Sequence, residues 1–451
     1  MDNMVNSRSG GRIVFLSHTG ALGGAELSLL EIVSEFPGAE VWLFKDGPLA
    51  SKLRASGVTV EIIEGGGDAL EVRKQGKLGS FLRAIPGTVR LARAISRRTT
   101  PADLIYANTQ KTWIAAAVAA CFSRRTVVWH LHDIMSDAHF SRLLSRLAVW
   151  LANRVASAVI ANSRTTGATF VACGGRAELM TVVHVGIDIA PFDAVTPQQM
   201  ANVRRELGSG DDITVGLFGR IATWKGQHVL LEAVRSLPGL RAVIVGAPLF
   251  GEDAYQRELT RLASDPALAG RVQFLGFRPD IQALMQAMDI IVHTSTLAEP
   301  FGRVVVEGMM ARRPVVAAAA GGVLEIIDHG RDGLLFVPGD AATLARALAL
   351  LVKNPDLRKR LGETGYESAK ARFTREHMLR GIRQVLLPML PHISSHAFSP
   401  SQLCNASTGT VAGKVSDPIG HAHSRQDSTV AADEIHACRR GPRLARGERR
   451  R

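Results

Sequence analysis

Short runs of β-branched and aliphatic residues alternate along the chain with stretches whose apolar positions recur every three to four residues, and the whole alternation occurs twice. A short apolar run followed by an amphipathic segment is the pattern of a βα unit, and repeated units build a parallel sheet covered on both faces. In the first half the pattern predicts strands over Arg12–Ser17, Glu40–Phe44, Val58–Ile62, Leu104–Ala107, Thr126–His130, Ala158–Ala161 and Met180–Val183. In the second it predicts Thr214–Phe218, Ala242–Val245, Val272–Leu275, Asp289–His293, Val315–Ala318 and Leu334–Val337.

Between the halves, Gly186 to Pro197 carries Asp188, Asp193, Pro191 and Pro197 and reads as a hinge. After the last strand come helical stretches over Ala341–Lys353, Asp356–Arg372 and Thr374–Leu387, broken by Pro355 and capped by Thr374. Beyond Pro391 the chain turns to Ser, His, Gly and Arg without period. The expected fold is α/β: two Rossmann-like domains facing a cleft, residues 1–190 and 191–390, with the C-terminal helices bracing both and a disordered basic tail over 391–451.

Length and composition narrow the function. At 451 residues the chain exceeds one ordinary core, and with 46% hydrophobic and 21% charged residues it is not globally disordered. The longest apolar stretches, Ile114–Phe122 and Val315–Leu324, are about half of the roughly 20 residues that cross a bilayer, so no transmembrane helix is expected. The only apolar run near the start, Ile13–Leu16, is too short for a secretory signal, which points to the cytoplasm. Four cysteines fit reduced thiols, and His421, His423, His436 and Cys438 match no zinc spacing, so no metal site is expected. The net charge of +13 asks for an anionic partner. Because it is spread without a dense block and aromatics are few, nucleic acid is a weaker candidate than a phosphorylated substrate or an anionic membrane.

Three loops carry candidate chemistry. The first βα junction, Ser17 to Glu26, is glycine-rich and opens a helix, so Gly23 and Gly24 let backbone N–H groups approach a phosphate. It lacks the spacing of a dinucleotide fingerprint and the Walker lysine. In the second half, Val215-Gly216-Leu217-Phe218-Gly219-Arg220 ends a strand and Lys225-Gly226 opens the next helix, so two cations five residues apart can converge on a diphosphate. Solvated surface cations are the plain alternative. Further on, Glu299 and Glu307 lie eight residues apart; on one helix they would sit ~12 Å apart along the axis and about 80° around it. Pro300 and Gly302 break that continuity, so Glu299 projects from a loop while Glu307 lies about a turn inside a helix beginning near Gly302. A capping or surface carboxylate is the plain reading of each.

Over most of residues 11–390 the chain resembles the GT-B glycosyltransferases, specifically the large retaining family 4 that uses nucleotide-diphosphate sugars. The resemblance rests on GGAE at Gly23–Glu26, GRIATWKG at Gly219–Gly226, EPFGRVVVEG at Glu299–Gly308, PVVAAAAGGVLEII at Pro314–Ile327 and DGLLF at Asp332–Phe336. It implies that Arg220 and Lys225 hold the donor diphosphate, Glu299 contacts the transferred sugar and Glu307 the ribose. Backbone N–H groups at Gly302, Arg303 and Val304 would add to diphosphate binding, with Gly23 and Gly24 acting from the opposite domain. His132, followed by Asp133, matches the family's His-Asp pair that reaches the donor sugar; His130, two residues back, ranks lower.

The implied function is a retaining, metal-independent hexosyltransferase moving a sugar to a glycan or lipid-linked acceptor in cell-surface glycan or glycolipid synthesis. It needs no cofactor, the nucleotide-diphosphate sugar being a co-substrate. A GT-B nucleotide-sugar epimerase and a non-catalytic nucleotide-sugar-binding protein are the alternatives. The chain departs from the family pattern at Val185, where an asparagine is usual, at Gly308, where alanine is common, and at Arg312-Arg313, where a glycine is usual.

Residues 77–98 hold Lys77, Arg83, Arg90, Arg93, Arg97 and Arg98 and no acid, with Leu78, Leu82, Ile85, Val89 and Ala92 on another face and Pro86-Gly87 as an expected interruption. Arg142, Arg146 and Arg154 recur beside Leu143, Leu144, Leu147 and Trp150. Peripheral contact with anionic lipid at the inner face of the membrane is one reading. Helices packed on the sheet with a solvated basic face are the other, and the plainer.

Overall fold

The computed structural model describes residues 12–63, 78–101, 103–121, 125–136, 142–248 and 251–390, with only the backbone of 78–84. The expected tail over 391–451 lies outside the described residues, as does Lys77.

All thirteen expected strands are present: β1 (Ile13–Ser17), β2 (Glu40–Leu43), β3 (Thr59–Ile62), β4 (Leu104–Ala107), β5 (Thr126–Leu131), β6 (Ala158–Ala161) and β7 (Met180–Val182), then β8 (Ile213–Phe218), β9 (Leu240–Val245), β10 (Val272–Gly276), β11 (Ile290–His293), β12 (Val315–Ala318) and β13 (Leu334–Phe336). They form two parallel sheets, ordered β3-β2-β1-β4-β5-β6-β7 and β10-β9-β8-β11-β12-β13. In each sheet the order reverses beside the first strand, between β1 and β4 and between β8 and β11, where loops diverge and leave a crevice at the carboxyl edge.

Strand alternation divides the cores. Ile13, Phe15, Leu104 and Tyr106 face one side of the first sheet; Val14, Leu16, Ile105 and Ala107 face the other. In the second sheet Val215, Leu217 and Ile244 face one layer while Val243, Val245 and Ile291 face the opposite one. Burial on both faces explains why the strands read as continuous apolar runs.

The chain crosses between the halves twice, and the crossings touch. Ile187 N–H donates to the Phe373 carbonyl at 2.9 Å, and Arg375 N–H donates to the Ile187 carbonyl at 3.0 Å. A Cβ on Gly186 would lie 2.4 Å from the Thr374 carbonyl oxygen, so only glycine permits this approach. Val185 is a core residue of the second half. The last helix, Arg375–Leu386, returns to the first half: Met378, Leu379, Ile382 and Leu386 complete the core around Ile13 and Phe15, and Arg375 and Arg383 pair with Glu31 and Glu35.

One local expectation fails. The helix Leu78–Arg98 runs through Pro86 without interruption. Its Leu91, Ala92 and Ile95 are buried on the sheet, and tertiary packing of this face overrides the roughly 3 kcal/mol a mid-helix proline costs.

Candidate active site

In the second half, the loops after β8 and β11 are stitched together. Thr294 Oγ1 donates to the Lys225 carbonyl and Thr296 N–H to the Trp224 carbonyl, each at 2.8 Å. Gly226 has a φ of +68°, and a Cβ there would lie 2.2 Å from the Thr294 carbonyl oxygen; glycine is required for the two loops to meet.

This stitching brings Lys225 onto Glu299. Lys225 Nζ donates to Glu299 Oε1 at 2.9 Å and to Oε2 at 3.0 Å, and Ser295 Oγ donates to Oε2 at 2.8 Å. His293 Nε2 lies 3.2 Å from Oε2; a carboxylate only accepts, so that nitrogen carries its hydrogen. Burial pushes the Glu299 carboxyl up, but the Lys225 charge and the His293 bond outweigh it and hold the group well below the ordinary carboxylate range. The sequence reading missed His293 and Ser295, although their position at the end of β11, just before Glu299, was the available signal.

Arg220 and Lys225 flank the Trp224 ring, at 5.5 and 4.3 Å from its centroid. Gly302, in the left-handed conformation, caps the helix Arg303–Met310, as the break at Pro300 and Gly302 predicts. Val305 N–H already donates to the Gly302 carbonyl at 2.9 Å, whereas the N–H groups of Arg303 and Val304 have no carbonyl a turn earlier inside the helix and lie at the positive end of its dipole. Glu307, one turn in, accepts from Arg303 Nε at 2.8 Å. The structure thus joins Lys225 to Glu299, Arg220 to the same indole, and Arg303 to Glu307. Gly321, with a φ of +68°, lets the loop after β12 pack on the Glu299 backbone, where a Cβ would lie 2.2 Å from its carbonyl oxygen.

In the first half, polar side chains gather at the carboxyl ends of β1, β4 and β5. Asn108 Nδ2 donates to the Ala25 carbonyl at 3.2 Å, leaving its Oδ1 to accept from His132 Nε2 at 3.1 Å. Burial lowers the His132 pKa to about 3, so the ring is neutral at physiological pH with a lone pair on Nδ1. His130 is fully enclosed and bonded to the Tyr106 hydroxyl at 2.6 Å. Gly23 caps the helix Gly24–Val33, and Glu26 turns back to the Gly23 N–H and to Ser17 Oγ, 3.3 Å away. Burial raises the Glu26 carboxyl to about 7 against these bonds and its own N–H, with Asp133 adding repulsion.

Two contacts tie the halves beside Glu299. Ser163 and Thr166, at the start of the helix Arg164–Ala172, donate their hydroxyls to the Pro300 carbonyl, at 2.5 and 3.2 Å. Glu325 accepts from the N–H groups of Arg164 at 2.8 Å and Thr165 at 2.7 Å, from Thr165 Oγ1 at 2.9 Å, and pairs with His184 at 3.0 Å. Burial raises the Glu325 carboxyl, but His184 and the helix N–H groups dominate and bring it down to about 2. Among the described residues no group of three or more His, Cys, Asp or Glu is placed to hold a metal ion.

Residues 22–190 match the family described as Glycosyltransferase Family 4, and residues 199–368 the family described as Glycosyl transferases group 1. The lipopolysaccharide core biosynthesis glycosyltransferase LpsE of Rhizobium meliloti is 34% identical over 193 residues, covering 42% of this chain and 55% of that protein. A D-inositol 3-phosphate glycosyltransferase of Corynebacterium kroppenstedtii is 36% identical over 206 residues, 44% of this chain and 45% of that protein. The chain spans about half the length of these curated relatives. The crystal structure of Anabaena HepE with UDP-glucose is 38% identical with a TM-score of 0.75, covering 84% of this chain and 99% of that one. HepE with UDP alone is 39% identical with a TM-score of 0.74, covering 84% and 100%.

Proposed function

The chain belongs to the group 1 glycosyl transferases, and we propose that it moves a hexose from a UDP-sugar to a glycan or lipid-linked acceptor held by the first half, with retention of anomeric configuration. The observation that carries this reading is the Lys225 ammonium held on both oxygens of Glu299 beside Arg220, at the crevice of the second sheet. The choice of uridine rests on the likeness to HepE, whose structures hold UDP and UDP-glucose.

In the proposed reaction the bond from the sugar anomeric carbon to the diphosphate oxygen breaks, a bond from that carbon to the acceptor oxygen forms, and the acceptor proton passes to the departing diphosphate on the same face. Arg220, Lys225 and the N–H groups at Arg303 and Val304 stabilise the negative charge that develops on the leaving group, as preorganised donors do. Glu299 accepts from sugar hydroxyls and Glu307 from the ribose. Neutral His132 approaches the sugar from the first half, and Gly24 brings its backbone N–H to the diphosphate, the Gly23 N–H being held by Glu26. Rotation about the crossings near Gly186 would close the halves and exclude water.

The test uses UDP-, GDP- and ADP-glucose with the purified full chain. UDP-glucose is expected to raise the melting temperature most, and its slow hydrolysis, followed by proton NMR in EDTA, is expected to release α-glucose first. Release of β-glucose first overturns retention, loss of turnover in EDTA overturns metal independence, and interconversion of donor sugars without transfer identifies an epimerase.

A further inference from the structure

One layer of the first half carries a concentrated excess of cations. The helices Leu78–Arg98, Gln110–Cys121 and Arg142–Val155 pack side by side on the face of the first sheet that holds Val14 and Leu16. Together they carry nine cations and no Asp or Glu. The helices Asp253–Ala263 and Pro355–Arg372 of the second half mix both signs, as a solvated face ordinarily does.

The middle helix, five of whose twelve residues are alanine, is largely buried, so the outer two form the surface. On Arg142–Val155, positions 142, 146, 150 and 154 fall at four-residue spacing on one stripe, with Trp150 between Arg146 and Arg154. Trp150 is 58% exposed and Leu143 beside the stripe is 53% exposed, while Ala148, Val149 and Ala152 face the core. On Leu78–Arg98, Ile85 is 44% exposed and Arg90, Arg93 and Arg97 point outward. An indole and aliphatic side chains beside arginines, on helices that carry no acid of their own, match the headgroup boundary of a bilayer: the apolar bodies enter and the guanidinium groups meet lipid phosphates.

We propose that this helical layer docks the protein on an anionic lipid bilayer, with Trp150 and Leu143 entering the headgroup region and Arg90, Arg93, Arg146 and Arg154 meeting lipid phosphates. This goes beyond the transferase reading and stands without it, because none of these residues belongs to the donor site. Among the described residues no helix is long and apolar enough to cross a membrane.

The experiment is co-sedimentation of the purified full chain with vesicles of phosphatidylcholine alone and of phosphatidylcholine mixed with phosphatidylglycerol. Binding to the mixed vesicles only, weakening as salt is raised, is expected. Arg146→Gln with Arg154→Gln should weaken partitioning by roughly 25-fold, at about fivefold per arginine. Lipids brominated near the headgroup should quench wild-type fluorescence more than that of Trp150→Phe, since Trp42, Trp113 and Trp129 are buried. Both variants should keep the wild-type melting temperature and its shift by UDP-glucose. Failure to bind mixed vesicles, equal binding to neutral ones, or undiminished binding by the arginine variant overturns the proposal. Binding of an oligonucleotide probe, lost in the arginine variant while vesicles are ignored, would reassign the face to nucleic acid.

Discussion

Replacing Lys225 by methionine tests the donor site through its effect on the carboxylate left behind. In the wild type one ammonium meets both oxygens of Glu299, with the two side chains 17% and 12% exposed. Breaking a buried pair by removing one partner costs about 3–5 kcal/mol; with His293 and Ser295 still in place and the site partly open, about 2–4 kcal/mol is expected for Lys225→Met. Adding Glu299→Gln removes the stranded charge, so the double variant should recover roughly half of that loss, about 1–2 kcal/mol, and the coupling in a mutant cycle should exceed this by the cost of Glu299→Gln alone. Urea unfolding near neutral pH supplies the stabilities. Acid sharpens the test. Glu299 ionises well below its ordinary 4.5, so its stabilisation is complete above that value and fades as the pH falls through the depressed one. Without Lys225 burial dominates, the carboxyl titrates higher, and the acid loss should begin at higher pH. Turnover of UDP-glucose should fall roughly 100-fold or more in the single variant and stay low in the double. Strictly additive stabilities, or an unmoved acid limb, would show that Glu299 bears no charge needing Lys225.

Arg220→Ala should weaken UDP binding by about 2 kcal/mol, roughly 30-fold, by calorimetry, with little change in melting temperature. Glu26→Gln should flatten the pH dependence of stability: with the folded value raised to about 7, the wild type loses stability as pH rises from 4.5 to that value. At about pH 8 the variant should therefore melt higher, by the equivalent of ~1–3 kcal/mol. Glu325→Ala, which unties the helix Arg164–Ala172 and His184 together, should raise the ratio of donor hydrolysis to transfer while UDP affinity holds; an unchanged ratio would place the contact outside domain closure. Ending the chain at Phe373 removes Met378, Leu379, Ile382 and Leu386 from the first core and should leave no cooperative melting transition.

The strands were legible because doubly covered parallel sheets demand unbroken aliphatic runs, and glycine-containing turns followed several of them. The loop position of Glu299 was legible for a similar reason, since Pro300 and Gly302 cannot continue a helix. Local pattern failed where tertiary packing decides. Pro86 sits inside a helix because its neighbours are anchored on the sheet. His293 and Ser295 converge on Glu299 only through the turn of the loop after β11, which periodicity does not encode. Glu325 reads as an ordinary helix acid, yet its partners lie 141 to 161 residues away in sequence. Such contacts join segments with no local signal in common.

The return of Arg375–Leu386 to the first half sets an order on biosynthesis. While the ribosome is still making the second half, the side of the amino-terminal sheet that holds Ile13, Phe15 and their neighbours is covered only in part, because its final lid is encoded near residue 380. The nascent chain therefore carries a greasy surface through most of translation, and maturation of the earliest-made lobe waits on the last segment of the fold to emerge.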